Sequence, residues 1–172
     1  MKHPLHAICP YFAMFPEEFA RNQVLTFTRP GELVLDPFCG RGTVILESVL
    51  NNRRAIGTDT NPVAACVAGA KANVPSEQAI FGRLSELEEL VRSHAHCESP
   101  DNEFFSLCFH STTLREVCGL RHWLEWNDRP EDRFIATVCL GALHGESHRS
   151  ELYLSNRMPR TISTKPNYSV KW

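Results

Sequence analysis

Val34-Leu35-Asp36-Pro37-Phe38-Cys39-Gly40-Arg41-Gly42-Thr43 decides the reading of this chain, together with Gly57-Thr58-Asp59-Thr60-Asn61-Pro62 further along. Glu32 to Asp36 is a short apolar run that ends in an acid, which predicts a strand. The glycine turn after it leads into the apolar-periodic stretch Val44 to Asn51, read as a helix. Arg54 to Asp59 repeats the strand pattern, again ending in an acid, and Pro62 opens a second helix through about Asn73. The order β-loop-α-β-α predicts an α/β unit with parallel strands, and in such sheets ligands bind beyond the carboxyl ends of the strands. Glycines in the first strand-to-helix turn let the backbone approach a ligand closely. A carboxylate ending the next strand accepts both hydroxyl protons of a ribose. The combination specifies a nucleoside-shaped ligand.

What the turn lacks narrows that ligand. G-x-G-x-x-G, the dinucleotide fingerprint, is absent, and so is the G-x-x-x-x-G-K-[ST] phosphate loop. No lysine stands near the turn in sequence, and Asp36 would repel a phosphate. An acid at the strand tip suits a cationic ligand, such as the amino group and sulfonium of S-adenosylmethionine.

Outward from this centre, Pro16 to Thr28 reads as an amphipathic helix with Glu17 and Glu18 in its first turn and Phe19, Val24, Leu25 and Phe27 as its buried face. Arg29-Pro30-Gly31 then turns the chain into the first strand. Ala79-Ile80-Phe81 is a candidate third strand. Beyond residue 82 the pattern becomes helical, with expected helices over Leu84 to His94, Thr112 to Trp126 and Pro130 to Leu143. The expected organisation is therefore an α/β unit over 1–82, a helical segment over 83–146 and a loop-rich, basic tail over 147–172. In that tail Arg149, Arg157, Arg160, Lys165 and Lys171 face one acid, Glu151, within a chain whose formal net charge is −2. Such a tail can meet phosphate.

Composition excludes several classes. Hydrophobic residues make up 42% and charged residues 22% of 172 positions, and no apolar run approaches the length of about 20 residues that crosses a bilayer. The N-terminus lacks the apolar core of a secretion signal, so a cytoplasmic location and no membrane partner are expected. Seven cysteines without a C-x-x-C pair read as reduced thiols. His94-Ala95-His96-Cys97 has no second ligand pair at finger spacing, and no metal is expected. His110, His122, His144 and His148 read as surface or satisfied core groups, and Trp123 with Trp126 as a pair that buries a helix face.

The stretch Asp36 to Thr43 resembles the cofactor motif of DNA methyltransferases that modify the exocyclic amino group of cytosine or adenine. Tyr11-Phe12-Ala13-Met14-Phe15-Pro16-Glu17-Glu18-Phe19 is similar to that family's preceding motif, whose Phe-Pro pair lies against the same cofactor, and Gly57 to Pro62 looks like its ribose-binding strand end. The resemblance implies a partial Rossmann-like methyltransferase fold, S-adenosylmethionine as cofactor, DNA as partner and an enzyme of restriction-modification type. It implies a cofactor site of Phe15, Pro16, Asp36, Pro37, Phe38, Cys39, Gly40, Gly42, Thr43, Asp59, Asn61 and Pro62, and it leaves Arg157, Arg160, Lys165 and Lys171 as nucleic-acid contacts. Cys39 is expected to pack and not to attack, because direct transfer from sulfonium to nitrogen needs no covalent intermediate. A weaker likeness over Ala142-Leu143-His144-Gly145, Tyr153 to Ser163 and Pro166-Asn167-Tyr168 matches a segment between the cofactor and catalytic halves of some bacterial members, which gives the non-permuted motif order.

The chain departs from the family at one place. Its members carry Asp, Asn or Ser followed by Pro-Pro and an aromatic at the fourth strand tip, and this sequence has no Pro-Pro pair. Lys165-Pro166-Asn167-Tyr168 is its nearest imitation, so the catalytic residue is unassigned. The expectation is a truncated enzyme, or one subunit of a split enzyme whose second subunit or further copies complete it. Alternatives are a non-catalytic partner or DNA-binding module derived from a methyltransferase, and an RNA guanine methyltransferase, whose turn is similar.

Overall fold

The computed structural model describes residues 3–9, 11, 14–93, 105 and 111–142. Its elements are a 3-10 turn at Pro4–Ala7, then α1 (Glu17–Phe27), β1 (Leu33–Asp36), α2 (Thr43–Leu50), β2 (Arg54–Gly57), α3 (Pro62–Ala72), α4 (Glu77–Ser93), α5 (Ser111–Trp123) and α6 (Pro130–Ala142). The described residues within 1–76 and 125–141 form one compact unit, and those within 77–124 belong to a second.

In the first unit β1 and β2 pair in parallel, with Leu33 opposite Arg54, Val34 opposite Ala55, Leu35 opposite Ile56 and Asp36 opposite Gly57. A parallel pair needs a crossover, which the glycine turn and α2 supply. The pairing runs on past both strands, because the Thr58 amide donates to Asp36 O at 3.0 Å and the Cys39 amide to Thr58 O at 3.0 Å. This small parallel sheet with its helices is a mixed α/β arrangement compatible with part of a methyltransferase fold.

Side chains alternate across the sheet, so each strand offers two faces. Ala55 packs against the core formed by Cys39, Ile45 and Ala68, with Ala72 beside it. On the opposite face Leu33, Leu35 and Ile56 stay exposed, Leu35 at 65%. Leu46 and Val67 are fully buried in α2 and α3, worth roughly 1.5–3 kcal/mol each by area. Two glycines set the tightness of this packing. A Cβ on Gly42 would lie 2.7 Å from Ala68 Cα, so α2 starts against α3 only because Gly42 has no side chain. A Cβ on Gly57 would lie 2.8 Å from Cys39 Cβ, so the turn folds back over the end of β2.

Helix α1 follows its acid-rich start, but its buried face differs from the one expected. Ala20 and Val24, four apart, are buried, whereas Phe19, Leu25 and Phe27 are exposed, Phe27 at 76%. Helix α1 packs on α2, and the small pair is the side buried. Arg53 fastens the far end, donating from Nε and Nη2 to the hydroxyl and carbonyl of Thr28. Helix α6 belongs to this unit as well. A Cβ on Gly69 would meet Arg133 at 2.8 Å, and the Cys66 thiol lies 3.6 Å from the Thr137 hydroxyl. A Cβ on Gly141 would lie 2.3 Å from Ile8 O, so α6 also presses on the N-terminal segment.

In the second unit α4 corrects the expected third strand, since Ala79-Ile80-Phe81 lies inside a helix that begins at Glu77. A short apolar run does not distinguish strand from helix. Ile80, Arg83 and Leu87 recur at helical spacing, and Arg83 and Leu87 are buried. Helix α5 packs on α4, where a Cβ on Gly119 would lie 3.1 Å from Val91 Cγ1. The Arg83 guanidinium donates to Trp123 O at 3.0 Å and to Glu86 at 2.9 Å. Trp123 is the last residue of α5, so Trp126 falls beyond the helix and the expected helical Trp pair does not form.

Candidate functional site

Three pieces of chain meet at the carboxyl ends of β1 and β2. Asp36 ends β1, and its Oδ1 accepts the Phe38 amide at 3.2 Å, which turns the chain at Pro37. The glycine turn follows, with Gly40 at φ 49° and Gly42 at φ 75°, left-handed conformations that a residue with a Cβ adopts at a cost. The turn closes through the Gly42 amide, which donates to Cys39 O at 2.7 Å. Thr43 is buried at the start of α2.

Asp59 sits past the end of β2 and is fixed on both carboxylate oxygens. Gly40 donates its amide to Oδ2 at 2.9 Å, and Asn61 donates its amide to Oδ1 at 2.9 Å. These backbone N–H groups, Asn61 first and then Gly40, hold the Asp59 carboxyl below its ordinary range. It is therefore ionised at neutral pH. Each oxygen retains acceptor capacity, since a carboxylate offers about four lone-pair sites. The Thr58 hydroxyl donates to Pro37 O at 2.9 Å and ties the two tips a second time.

Burial pushes the Cys39 thiol upward, and the negative charges of Asp36 and Asp59 add to that push. The Cys39 sulfur thus feels both carboxylates. Cys39 is a buried neutral thiol in the core and not a nucleophile.

Asn61 caps α3, accepting the Val63 amide on Oδ1 at 3.0 Å, and Pro62 occupies the first helical position, where its missing N–H costs nothing. The Asn61 side-chain amide donates to the Tyr11 hydroxyl at 3.2 Å. Tyr11 Cε1 lies 3.6 Å from where a Gly40 Cβ would stand. Tyr11 is a residue of this site that the sequence reading placed in a motif but gave no role; its signal was its place ahead of the Phe-Pro pair. Phe38 and Pro37 face solvent, Phe38 at 85%. Phe15 and Pro16 lead into α1, where Phe15 stacks on Phe19 with ring centroids 5.4 Å apart. Arg157, Arg160, Lys165 and Lys171 lie outside the described residues, as do Lys165-Pro166-Asn167-Tyr168 and His94 to Cys97.

Beneath the turn lies a group of polar side chains that periodicity does not reveal. His6 is fully buried, with Nε2 2.7 Å from Glu47 Oε1 on α2. Arg41 donates from Nη2 to His6 O, and Lys71 on α3 donates to Arg41 O at 2.6 Å. The turn is therefore held from α3 and from the N-terminal segment, whose His6 is in turn held by Glu47 of α2.

Two carboxylates, Asp36 and Asp59, thus bracket the glycine turn, with the Tyr11 ring against Gly40. No helix among the described residues is long and apolar enough to cross a membrane.

Residues 2–68 match the family model of DNA methylase. The orphan methyltransferase M.BamHII of Bacillus amyloliquefaciens is 45% identical over 47 residues, 27% of this chain and 18% of that protein. The type II methyltransferase M.Cfr9I of Citrobacter freundii is 44% identical over 52 residues, covering 30% of this chain and 17% of its own length. The type II methyltransferase M.SmaI of Serratia marcescens is 41% identical over 58 residues, 34% of this chain and 20% of that protein. The chain thus spans a fifth or less of the curated relatives it matches. No solved structure matches it. The resemblance to DNA methylases is shown over residues 2–68, the stretch that holds both strand tips and the glycine turn.

Proposed function

We propose that this chain supplies the S-adenosylmethionine-binding part of a DNA methyltransferase that modifies an exocyclic amino group of cytosine or adenine, as a piece of a longer enzyme or as one subunit of a split one. The observation that carries this reading is Asp59, held ionised by the Gly40 and Asn61 amides next to the tip that bears Asp36. Asp59 would accept the ribose hydroxyls, and Asp36 would face the methionyl ammonium. Gly40, Gly42 and Thr43 would give the turn its shape, Cys39 would support it from the core, and Asn61 and Pro62 would start α3 at the ribose side. Phe15, Pro16, Pro37 and Phe38 would offer the apolar walls. Bound S-adenosylmethionine supplies an electrophilic methyl group on sulfur; this chain's residues bind and orient it.

The 147–172 tail would contribute phosphate contacts through Arg157, Arg160, Lys165 and Lys171. One sequence observation favours a second reading. The sequence contains no Pro-Pro tetrapeptide of the kind that the resembled family uses to hold the target amine, which fits a cofactor-binding partner module that is inactive alone.

Calorimetric titration with S-adenosylhomocysteine tests the proposal. Measurable heat is expected, and Asp59→Ala should weaken binding by about tenfold to a hundredfold through loss of charged hydrogen bonds. No heat with the folded wild-type chain would remove it. Methyl transfer to duplex DNA, assayed with and without a Pro-Pro-bearing partner chain, separates the split enzyme from the inactive module.

A further inference from the structure

The buried side chains under the turn are coupled in series. The 3-10 turn at Pro4–Ala7 places the His6 ring against Glu47, one helical turn beyond Thr43 on α2. The carbonyl of the same residue receives the Arg41 guanidinium, and the Arg41 carbonyl receives Lys71 from α3. Arg41 stands between Gly40 and Gly42, so whatever fixes its backbone and side chain fixes the two left-handed glycines. Downstream of His6 the same segment reaches Tyr11, which lies against Gly40 and Asn61. A short strap thus touches the turn from beneath and from its open side.

We infer that His6 is a positioning residue for this turn: its neutral ring, donating from Nε2 to Glu47, locks the strap and the Arg41 side chain under Gly40–Gly42, and protonation of the ring loosens that lock. The link to ligand binding rests on the cofactor reading above, but the coupling of strap to turn does not.

Chemistry at the two ring nitrogens supports the sign. Nε2 is satisfied by Glu47, whereas Nδ1 is buried with no hydrogen-bond partner among the described residues. A neutral ring presents a bare lone pair there; a charged ring would present an unreceived N–H, which burial makes costly. The charged groups that act on the ring are Glu17 from α1, Glu47 from α2 and Lys71 from α3, while Arg41 of the turn reaches the backbone carbonyl of the same residue. Burial is the largest influence and lowers the ring below its ordinary 6.5, Lys71 lowers it further, and the two glutamates oppose this without reversing it. The stabilising contribution of the neutral ring is fully present above the unfolded value and is lost as pH falls through the folded one.

The test is amide hydrogen exchange at Gly40 and Gly42 in the full chain at pH 7.5 and 5.5, each expressed as protection relative to amides within α3, for wild type, His6→Gln and His6→Leu. His6→Gln keeps a donor where Nε2 stood and cannot titrate. Wild type is expected to lose about tenfold of its relative protection on acidification, His6→Gln to stay flat, and His6→Leu to be low at both values. The same three proteins titrated with S-adenosylhomocysteine should follow that order. An identical pH profile in wild type and His6→Gln, or full protection in His6→Leu, would overturn the inference. A ring titration followed by NMR in the wild-type chain keeps the test independent of variant folding: ring protonation that leaves the Gly40 and Gly42 amides unmoved would also overturn it. Exchange that behaves as expected without ligand heat would sink the cofactor reading alone.

Discussion

Gly40 and Asp59, nineteen positions apart, are joined by a hydrogen bond of 2.9 Å from the Gly40 amide to Asp59 Oδ2. With the Thr58 hydroxyl on Pro37 O and the Cys39 amide on Thr58 O, this contact couples the two strand tips, so the turn leaving β1 moves together with the acid that follows β2. It also makes the charge of Asp59 part of the turn's stability.

A dependence on acid follows. The Asp59 carboxyl is held below its ordinary 3.8 by backbone amides, chiefly those of Asn61 and Gly40. Its contribution is therefore present above that value and lost as pH falls through the lower, folded one. Asp59→Asn should flatten the acid limb of the stability curve below about pH 4, measured by denaturant unfolding across pH.

The left-handed glycines on either side of β1 should differ in tolerance. Gly31 has φ 87° but open space around a would-be Cβ, so Gly31→Ala should cost only the left-handed penalty, about 1–2 kcal/mol. Gly42→Ala adds a clash with the Ala68 backbone at 2.7 Å, and about 2–4 kcal/mol is expected. Urea unfolding of Gly42→Ala beside Gly42→Ala/Ala68→Gly should show partial recovery in the pair, since part of the overlap is with the Ala68 methyl.

Helix α6 should be equally sensitive at Gly141. A methyl there would stand 2.3 Å from Ile8 O, a backbone atom that cannot turn aside. Gly141→Ala should destabilise by about 1–3 kcal/mol and raise proteolysis within the N-terminal segment first. Limited digestion with mass mapping would show it.

Cysteine reactivity gives a probe of the site. Burial raises the Cys9, Cys39, Cys66 and Cys139 thiols, whereas Cys118 is half-buried. With a thiol reagent at pH 7.5 and site mapping by mass spectrometry, Cys118 should be labelled well before Cys39 or Cys66. Early labelling of Cys39 would show that the turn opens.

The β-α-β-α order and both acidic tips were legible because strand and helix periods alternate cleanly from Leu33 to Ala72, with Gly42 and Pro62 as punctuation. The run Ala79-Ile80-Phe81 was not, since three apolar residues fit either period and only the longer rhythm to Leu87 decides. The face of α1 was misjudged at Phe19, Leu25 and Phe27, where helical spacing could not say which of several apolar stripes meets α2. His6, Glu47 and Lys71, and the role of Arg41 within the glycine turn, were not legible for another reason. Polar residues read as surface, and their pairing spans up to forty-one positions, which no local pattern encodes. Tyr11 precedes the Phe-Pro pair in sequence, but its place comes from contacts that no local pattern encodes, its hydroxyl with Asn61 and its ring against Gly40.

The central claim is that the two strand tips around Gly40 receive S-adenosylmethionine. Backbone amide NMR of the wild-type chain, recorded as S-adenosylhomocysteine is added, tests it at the residues concerned. Shift changes are expected at Asp36 to Thr43 and Gly57 to Asn61, with the Gly40 and Asn61 amides that hold Asp59 among the largest. Spectra that do not change, or changes confined to α4 and α5, would contradict it.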